Sequence, residues 1–211
     1  MPSLRPWFAL KSVPGVGNLL FRRLVEQFGS PEAVLCADRP ALQAVQGVTA
    51  RLAATIQRHR VPDAVDRELE AVRQKGYTIV TQTDPCFPPL LHQIPDPPPF
   101  LYVYGSLPAT GLNIAVVGSR NATDYGIATT RQLCMDLVRQ RVNIVSGMAR
   151  GVDTAAHSGA IAAGGCTVSV LGTGLDQIYP RENRRLFHQI AEKGAVITEF
   201  SLDTGPDAHH F

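Results

Sequence analysis

From Asn113 onward, short apolar runs alternate with longer amphipathic stretches. The runs are NIAVVG (113–118), VNIVSG (142–147), TVSVLG (167–172) and AVITEF (195–200). They lie roughly 24 to 30 residues apart, which is βαβ spacing and predicts a parallel sheet. The intervening segments predict helices over Tyr125–Gln140, Asp153–Ala163 and Arg181–Lys193. In the first helix, Ile127, Leu133, Leu137 and Val138 are expected on one buried face. The predicted fold class is α/β, a Rossmann-like parallel sheet with helices on both faces. In such a sheet, ligands sit at the carboxyl ends of the strands.

The first 65 residues carry a different pattern, short helices joined by glycine turns. LKSVPGVGNLLFRRL from Leu10 repeats as LQAVQGVTARLAATI from Leu42, an offset of 32 positions (42 − 10). Leu10, Val13, Gly15, Val16 and Leu20 match Leu42, Val45, Gly47, Val48 and Leu52. Helix, tight Gly-Val-Gly turn, helix is a helix-hairpin-helix unit in a small all-α, SAM-like domain. Its glycines let the backbone turn sharply, and the N–H groups opening the second helix can face a phosphate. Gly15 and Gly17 are therefore candidate duplex contacts. In the second copy Thr49 stands where the second glycine would be. The bland alternative, a helical bundle whose glycines only make turns, stands beside this reading.

Residues 66–110 form a bridge. DAVDRELEAVRQKG predicts a helix ending at Gly76, and Tyr77–Thr81 predicts a strand. Prolines at 85, 88, 89, 95, 97, 98 and 99 exclude regular helix or central strand in the following run. Leu90, Leu91, Ile94, Phe100, Leu101 and Tyr102 are too apolar for a free linker, so the run is expected to strap onto the α/β domain.

Bulk properties narrow the function. A net charge of +2 over 211 residues is too mild to attract nucleic acid by itself, so an anionic partner must be met locally. Cys36, Cys86, Cys134 and Cys166 are widely spaced, which argues against a zinc ribbon or disulfide framework and fits a reducing cytoplasm. Arg5, Pro6, Lys11 and Pro14 interrupt any signal-peptide core, and no apolar run approaches membrane-spanning length. The expectation is a soluble cytoplasmic protein without membrane contact.

Three glycine turns fall at the ligand edge: GSRNATDYG, GMARGVD and GTGLDQIYP. None is a P-loop, none completes Gly-x-Gly-x-x-Gly (Gln177 occupies the third position), and no Gly-x-Ser-x-Gly elbow exists. No histidine pair has metal-ligand spacing, and His157, in an alanine-rich helix, reads as a packed or capping residue rather than a base. No catalytic residue, metal or cofactor is expected. What these turns can do is bind anions. Gly118 and Gly147 allow close backbone approach, Ser119 supplies a hydroxyl, and Arg120 and Arg150 offer forked donors. Each turn opens a helix whose N-terminus adds partial positive charge. Asp153 and Asp176 read as caps. Several phosphate-sized sites in a row suggest a polymer, and Tyr125, Tyr179 and Phe187 are placed to stack unpaired bases.

VVGSRNATDYG, VSGMARGVDTAAHSGAIAAGG, VSVLGTGLDQIYPRENRRLFHQI and GAVITEF together resemble the DNA-processing protein A (DprA/Smf) family. The likeness extends through the proline-rich lead-in and the N-terminal repeat. It implies a helical domain of residues 1–65 and a Rossmann-like DNA-binding domain of 66–211. It further implies a non-enzymatic bacterial recombination mediator that binds and shields single-stranded DNA. Such proteins help load the RecA recombinase in natural transformation and act as homodimers. The expected contact set is Gly118, Ser119, Arg120, Tyr125, Gly147, Met148, Ala149, Arg150, Gly151 and Asn183. In the family a Phe-Pro-x-Arg-Asn-Arg-Ile-Ile stretch and further elements follow the point reached at Phe211, so a sheet with an uncovered edge and weaker binding are expected.

Two rival readings are a nucleotide-processing hydrolase of the lysine-decarboxylase-like group and a non-catalytic protein-interaction module. The first uses a Pro-Gly-Gly-x-Gly-Thr loop, where this chain has LGTGLDQIYP. The second predicts little salt sensitivity, unlike phosphate binding.

Overall fold

The computed structural model describes residues 3–210. Contacts divide the chain into two compact units. One contains the described residues through Lys75 together with Ile79–Phe100, and the other contains Gly76–Thr78 and Leu101 onward.

The first unit is built from α1 (Arg5–Lys11), α2 (Asn18–Phe28), α3 (Pro31–Cys36), α4 (Arg39–Gln43), α5 (Ala50–Arg58) and α6 (Asp63–Gln74). The sequence repeat appears as two hairpins, α1–α2 and α4–α5, with Leu10, Val13, Val16 and their counterparts Leu42, Val45, Val48 all buried. Gly15 and Gly47 turn the chain at φ +92° and +95°, the left-handed region that only glycine enters freely. The hairpins then pack reciprocally: a Cβ on Gly15 would lie 3.2 Å from Leu52 Cδ1, and one on Gly47 2.9 Å from Leu20 Cδ2. Residues matched by the 32-position offset thus meet each other's partners, as a pseudo-two-fold requires. The copies differ at the second helix. Thr49 Oγ1 accepts from Leu52 N–H (3.2 Å), whereas Gly17 gives α2 no side-chain cap.

Helix α6 and the proline-rich run, grouped with the α/β domain on sequence, cluster here with the helices. Arg5 Nε donates to Asp66 on α6 (2.7 Å), and Phe8 stacks on Phe100 with ring centroids 4.5 Å apart. Strand β1 (Thr78–Thr81) follows α6.

In the second unit, β2 (Phe100–Gly105), β3 (Leu112–Ala115), β4 (Val142–Ser146), β5 (Thr167–Val170) and β6 (Ala195–Thr198) lie in the order β2-β6-β5-β4-β3. Strands β3 to β6 are parallel, with Ile144 opposite Ile114 on one side and Thr167 on the other. Strand β2 runs antiparallel to β6, with Tyr102 opposite Thr198. The sheet is therefore mixed. Sequence reading missed β2 because its prolines dominate the pattern, yet they end at Pro99, and a strand can begin directly after a proline.

Helices α7 (Asp124–Arg139), α8 (Val152–Ala162) and α9 (Arg184–Lys193) cross between successive parallel neighbours. The winding never reverses between β3 and β6, so right-handed crossovers put all three on one face. In keeping with this, α7 packs on α8 and α8 on α9. At Gly159 a Cβ would lie 2.4 Å from the Arg131 carbonyl oxygen, so glycine sets that α7–α8 approach. The core beneath holds Cys134, Val142, Ile144, Ala156 and Ala160, flanked by Ile114, Val116, Leu137 and Val138. The expected buried face of α7 is half right. Leu137 and Val138 point inward, but Ile127 is 38% and Leu133 53% exposed. At 100° per residue, the stripe through 137 and 138 continues to Cys134, not Leu133. Strand β3 ends the sheet order and is largely exposed.

His157 on α8 is fully buried. Its Nδ1 lies 2.7 Å from Thr167 Oγ1, which itself donates to Ile144 O (2.8 Å), so the ring N–H donates to the hydroxyl. Nε2 has no hydrogen-bond partner. Burial pushes the imidazole pKa down to about 3, opposed only in part by the Ser146 carbonyl. The histidine is a neutral packing residue, as its sequence context suggested. Because the unfolded chain binds this proton near the ordinary pKa of about 6.5 and the folded chain near 3, folding loses stability as pH falls between those values. We expect Tm to drop across that window, steeply where this one group titrates (about 1.4 kcal/mol per pH unit). In His157→Gln the dependence on pH should be visibly flatter, and an unchanged slope would remove His157 as the cause.

Candidate nucleic-acid interface

The carboxyl ends of β3, β4 and β5 release the three glycine turns on one edge. The first two interlock. Gly151, at the mouth of α8, takes φ +73°, and a Cβ there would stand 2.2 Å from Ser119 O and 2.9 Å from Arg120 O. Val152 N–H donates to Ser119 O (3.2 Å) across the same gap. Asp153 is buried with its carboxylate turned back into the second turn, where Oδ2 accepts from Gly147 N–H and Ala149 N–H (3.2 Å each). Thr154 N–H and Oγ1 both donate to Ala149 O. Asn183 is buried beneath, its amide donating to Met148 O (2.8 Å) and Thr154 Oγ1 (2.9 Å).

This geometry alters the expected chemistry. The N–H groups of Gly147, Ala149, Val152 and Thr154 are spent on the protein itself, so they cannot also cradle a phosphate. Met148 is fully buried at φ +61°, and Asn183 holds the turn from below. The exposed polar side chains of the two turns include Ser119, Arg120 and Arg150. Ser119 Oγ accepts from Asn121 N–H (3.1 Å), which shapes its turn and leaves the hydroxyl hydrogen to donate outward. Thr123 Oγ1 caps α7 through Gly126 N–H (3.1 Å).

Two depressions flank these turns. An open groove of about 620 Å³ is lined by Gly118, Arg120, Gly147, Gly172, Glu199, Phe200, His209 and His210, among others. A smaller one of about 220 Å³ lies between Arg120, Asn121, Arg150, Tyr179 and Pro180. Arg120 belongs to both. Arg150 Nε donates to Glu182 Oε1, an exposed pair that raises the guanidinium pKa and lowers the carboxyl one.

The aromatic candidates separate. Tyr125, at the start of α7, is 81% exposed and Tyr179 45%, while Phe187 is 1% exposed and stacks inward on Tyr104. Phe187 therefore offers no face to a base. Residues missed on sequence enter from the end of β6. Phe200 stacks on His210 (centroids 4.1 Å), and His210 Nδ1 lies 3.1 Å from Gly172 O. The carboxyl-edge rule would have found Glu199 and Phe200, since β6 is parallel too. The third turn is packed shut, with a Cβ on Gly174 only 2.0 Å from Ser201 O. Gly15 and Gly17 belong to the helical unit, where Gly15 packs on Leu52.

Among the described residues no group of three or more His, Cys, Asp or Glu could hold a metal ion. No described helix is long and apolar enough to cross a membrane.

Fold and edge together give a Rossmann-like sheet whose carboxyl edge displays the side chains of Ser119, Arg120 and Arg150. The model of the DNA recombination-mediator protein A family matches residues 78–211, so the chain belongs to that family. A SAM-like helix-hairpin-helix tandem matches residues 9–59. Protein Smf of Synechocystis sp. is 38% identical, covering 97% of this chain and 53% of that protein. DNA processing protein DprA of Bacillus subtilis is 31% identical, covering 93% and 67%. The chain thus spans about half to two thirds of these curated relatives. The crystal structure of DNA processing protein A from Streptococcus pneumoniae superimposes with a TM-score of 0.81 at 26% identity, covering 99% of this chain and 71% of that one. DNA processing protein A from Helicobacter pylori, described for its single-stranded DNA binding mode, gives 0.57 at 31% identity, with 64% and 60% covered.

The interlock of the two turns is directly testable. Gly151→Ala forces a side chain into left-handed backbone and against the Ser119 carbonyl, and should lower stability by about 2 kcal/mol or more. Thermal denaturation should show Tm down by about 4–8 °C. An unchanged Tm would mean the turns are not locked together in this way.

Proposed function

We propose that this chain binds single-stranded DNA along the carboxyl edge of its sheet and serves as a recombination mediator rather than an enzyme. The observation that carries the reading is the place of Arg120, shared by the groove and the smaller depression on a rigid pair of turns. Phosphates are held by Arg120, Arg150 and Ser119, with the side-chain-free Gly118 and Gly147 letting them approach the two turns closely. Bases rest on Tyr125 and Tyr179, each worth about 1–3 kcal/mol by stacking. Such binding needs placement and charge and no reacting group. The single-stranded DNA binding described for the Helicobacter pylori relative supports the substrate class. Loading of RecA in transformation, dimerisation and a cytoplasmic location follow from family membership as part of the same proposal.

Anisotropy of labelled oligo-dT across a salt series tests it. Single-strand phosphate contacts give a log-log slope of about −0.7 each. Arg120→Ala should weaken binding at least tenfold and make that slope shallower, and a folded wild-type chain that ignores oligo-dT would sink the proposal. Glu182 competes with phosphate for Arg150. Glu182→Gln should therefore tighten oligo-dT binding a few-fold at low salt and lose that advantage at high salt. Weaker binding would instead mean that Glu182 is needed to position Arg150.

A further inference from the structure

We infer that the open groove at the end of β6 is a proton-gated phosphate subsite, in which His209 and His210 receive the strand's backbone once their rings are charged. The inference rests on the single-strand reading above and extends it along the edge. Among the described residues, the lining of this groove holds one arginine, Arg120 of the first turn, and one exposed carboxylate, Glu199 at the end of β6. Asp153 of α8 lines it as well, with Oδ2 turned onto the N–H groups of Gly147 and Ala149. The third turn contributes Gly172 and no ionisable side chain. With both histidines neutral, a phosphate entering the groove therefore meets Glu199 as much as Arg120. The smaller depression differs, being lined by Arg120 and Arg150 and by no acid among the described residues.

Two further groups in the lining can change that balance. His209 and His210 both face the groove, and histidine is the side chain that gains charge between roughly pH 8 and pH 5. The Nδ1 atom of His210 lies 3.1 Å from Gly172 O. A carbonyl only accepts, so Nδ1 carries the ring hydrogen, and Nε2 is a bare lone pair while the ring is neutral. A lone pair repels a phosphate oxygen. Protonation turns the same nitrogen into a charged donor and leaves the bond to Gly172 intact. The stack on Phe200, with centroids 4.1 Å apart, survives the change. A cation within about 6 Å of an aromatic face is attracted to it. His210 is thus held in one place in both states and alters only what it offers.

His209 is exposed and set by its backbone, in a 3-10 turn over Ala208–His210. Its N–H donates to Asp207 Oδ1 (2.9 Å), and His210 N–H donates to Asp207 O (3.0 Å). Asp207 is the acid on the histidines' own segment, and that backbone bond engages one of its carboxylate oxygens. Charges on two neighbouring rings repel, and an anion between them relieves the repulsion, so protonation and phosphate binding promote one another. The two depressions then answer differently to pH. Arg120 and Arg150 hold phosphate at any physiological pH, because guanidinium does not titrate there. The groove joins them only as the histidines charge, which lengthens the stretch of strand that is gripped.

The test is anisotropy of labelled oligo-dT with the whole chain, at about pH 8 and about pH 6, across a chloride series free of phosphate buffer. Thymine has no group that titrates in that range. Affinity at low salt should rise about tenfold from the higher pH to the lower, the worth of about one charge-assisted contact. The log-log salt slope should steepen by about 1.4, at about 0.7 for each of two added phosphates. In His209→Gln/His210→Gln both changes should vanish, with affinity at the higher pH within about twofold of wild type. His209→Gln alone, at an exposed position, should halve the slope change, and keeps the subsite measurable should the double variant fold poorly. In the wild-type chain, the ring resonances of both histidines should titrate at higher pH when oligo-dT is bound, as linkage requires. His157 cannot supply the effect, since burial holds it neutral down to about pH 3. Equal tightening in wild type and both variants would overturn the subsite by assigning the effect to another group. Oligo-dT binding with the same affinity and slope at both pH values would overturn it too, and would leave the single-strand reading standing. A folded chain that binds oligo-dT at neither pH would overturn both together.

Discussion

Asp153 is the constraint on which the candidate interface depends. A short polar side chain in the first turn of α8 reaches backward and takes two N–H groups of the turn that precedes it. That hydrogen-bonded turn places Gly151 at positive φ against the Ser119 carbonyl, and the contact couples the first turn to the second. Two loops that would each be mobile alone become one rigid ledge. The cost is chemical: the amides of Gly147, Ala149, Val152 and Thr154, which could have joined an anion cradle, are bonded within the turns. What the ledge displays to an anion is thus the side chains of Arg120, Arg150 and Ser119, with the helix dipole behind them.

Rigid display of this kind suits a ligand with a repeating charge and no fixed sequence. A mononucleotide site would close around its ligand with a few convergent donors. Here the surface is open, and Arg120 serves two adjoining depressions. Tyr125 and Tyr179 present rings that any base can cover, since every base has a π-face. Generality comes from stacking and charge, and position comes from the ledge.

Much of this architecture was legible before any coordinates, and the misses have physical causes. The βα alternation could be read because buried parallel strands are continuous apolar runs; the first two crossover helices fall within a residue of their expected place, and the third begins three residues later, after a 3-10 turn over Arg181–Asn183. The tandem hairpins were legible as a repeat because Gly15 and Gly47 answer the same backbone demand. Strand β2 was hidden by the prolines ahead of it. Phe187 looked available because helical position alone cannot distinguish a ring on the solvent side from one packed on Tyr104. The direction of backbone donors was the least visible feature. Sequence places a helix mouth, but only the folded turn reveals that Asp153 occupies it.

Net charge says little about a protein such as this, because its cations are sorted by their neighbours. Exposed ion pairs contribute at most about 1 kcal/mol, so a pair like Arg150 with Glu182 is easily exchanged for a phosphate contact. The carboxylate nevertheless sets a threshold: a weak or isolated anion gains little by displacing it, whereas a phosphate polymer that also engages Arg120 gains several contacts at once. A cation paired in this way favours a multivalent anion over an isolated one. A chain of nearly neutral net charge can on these terms remain selective for nucleic acid at the places where its local charge is arranged to receive it.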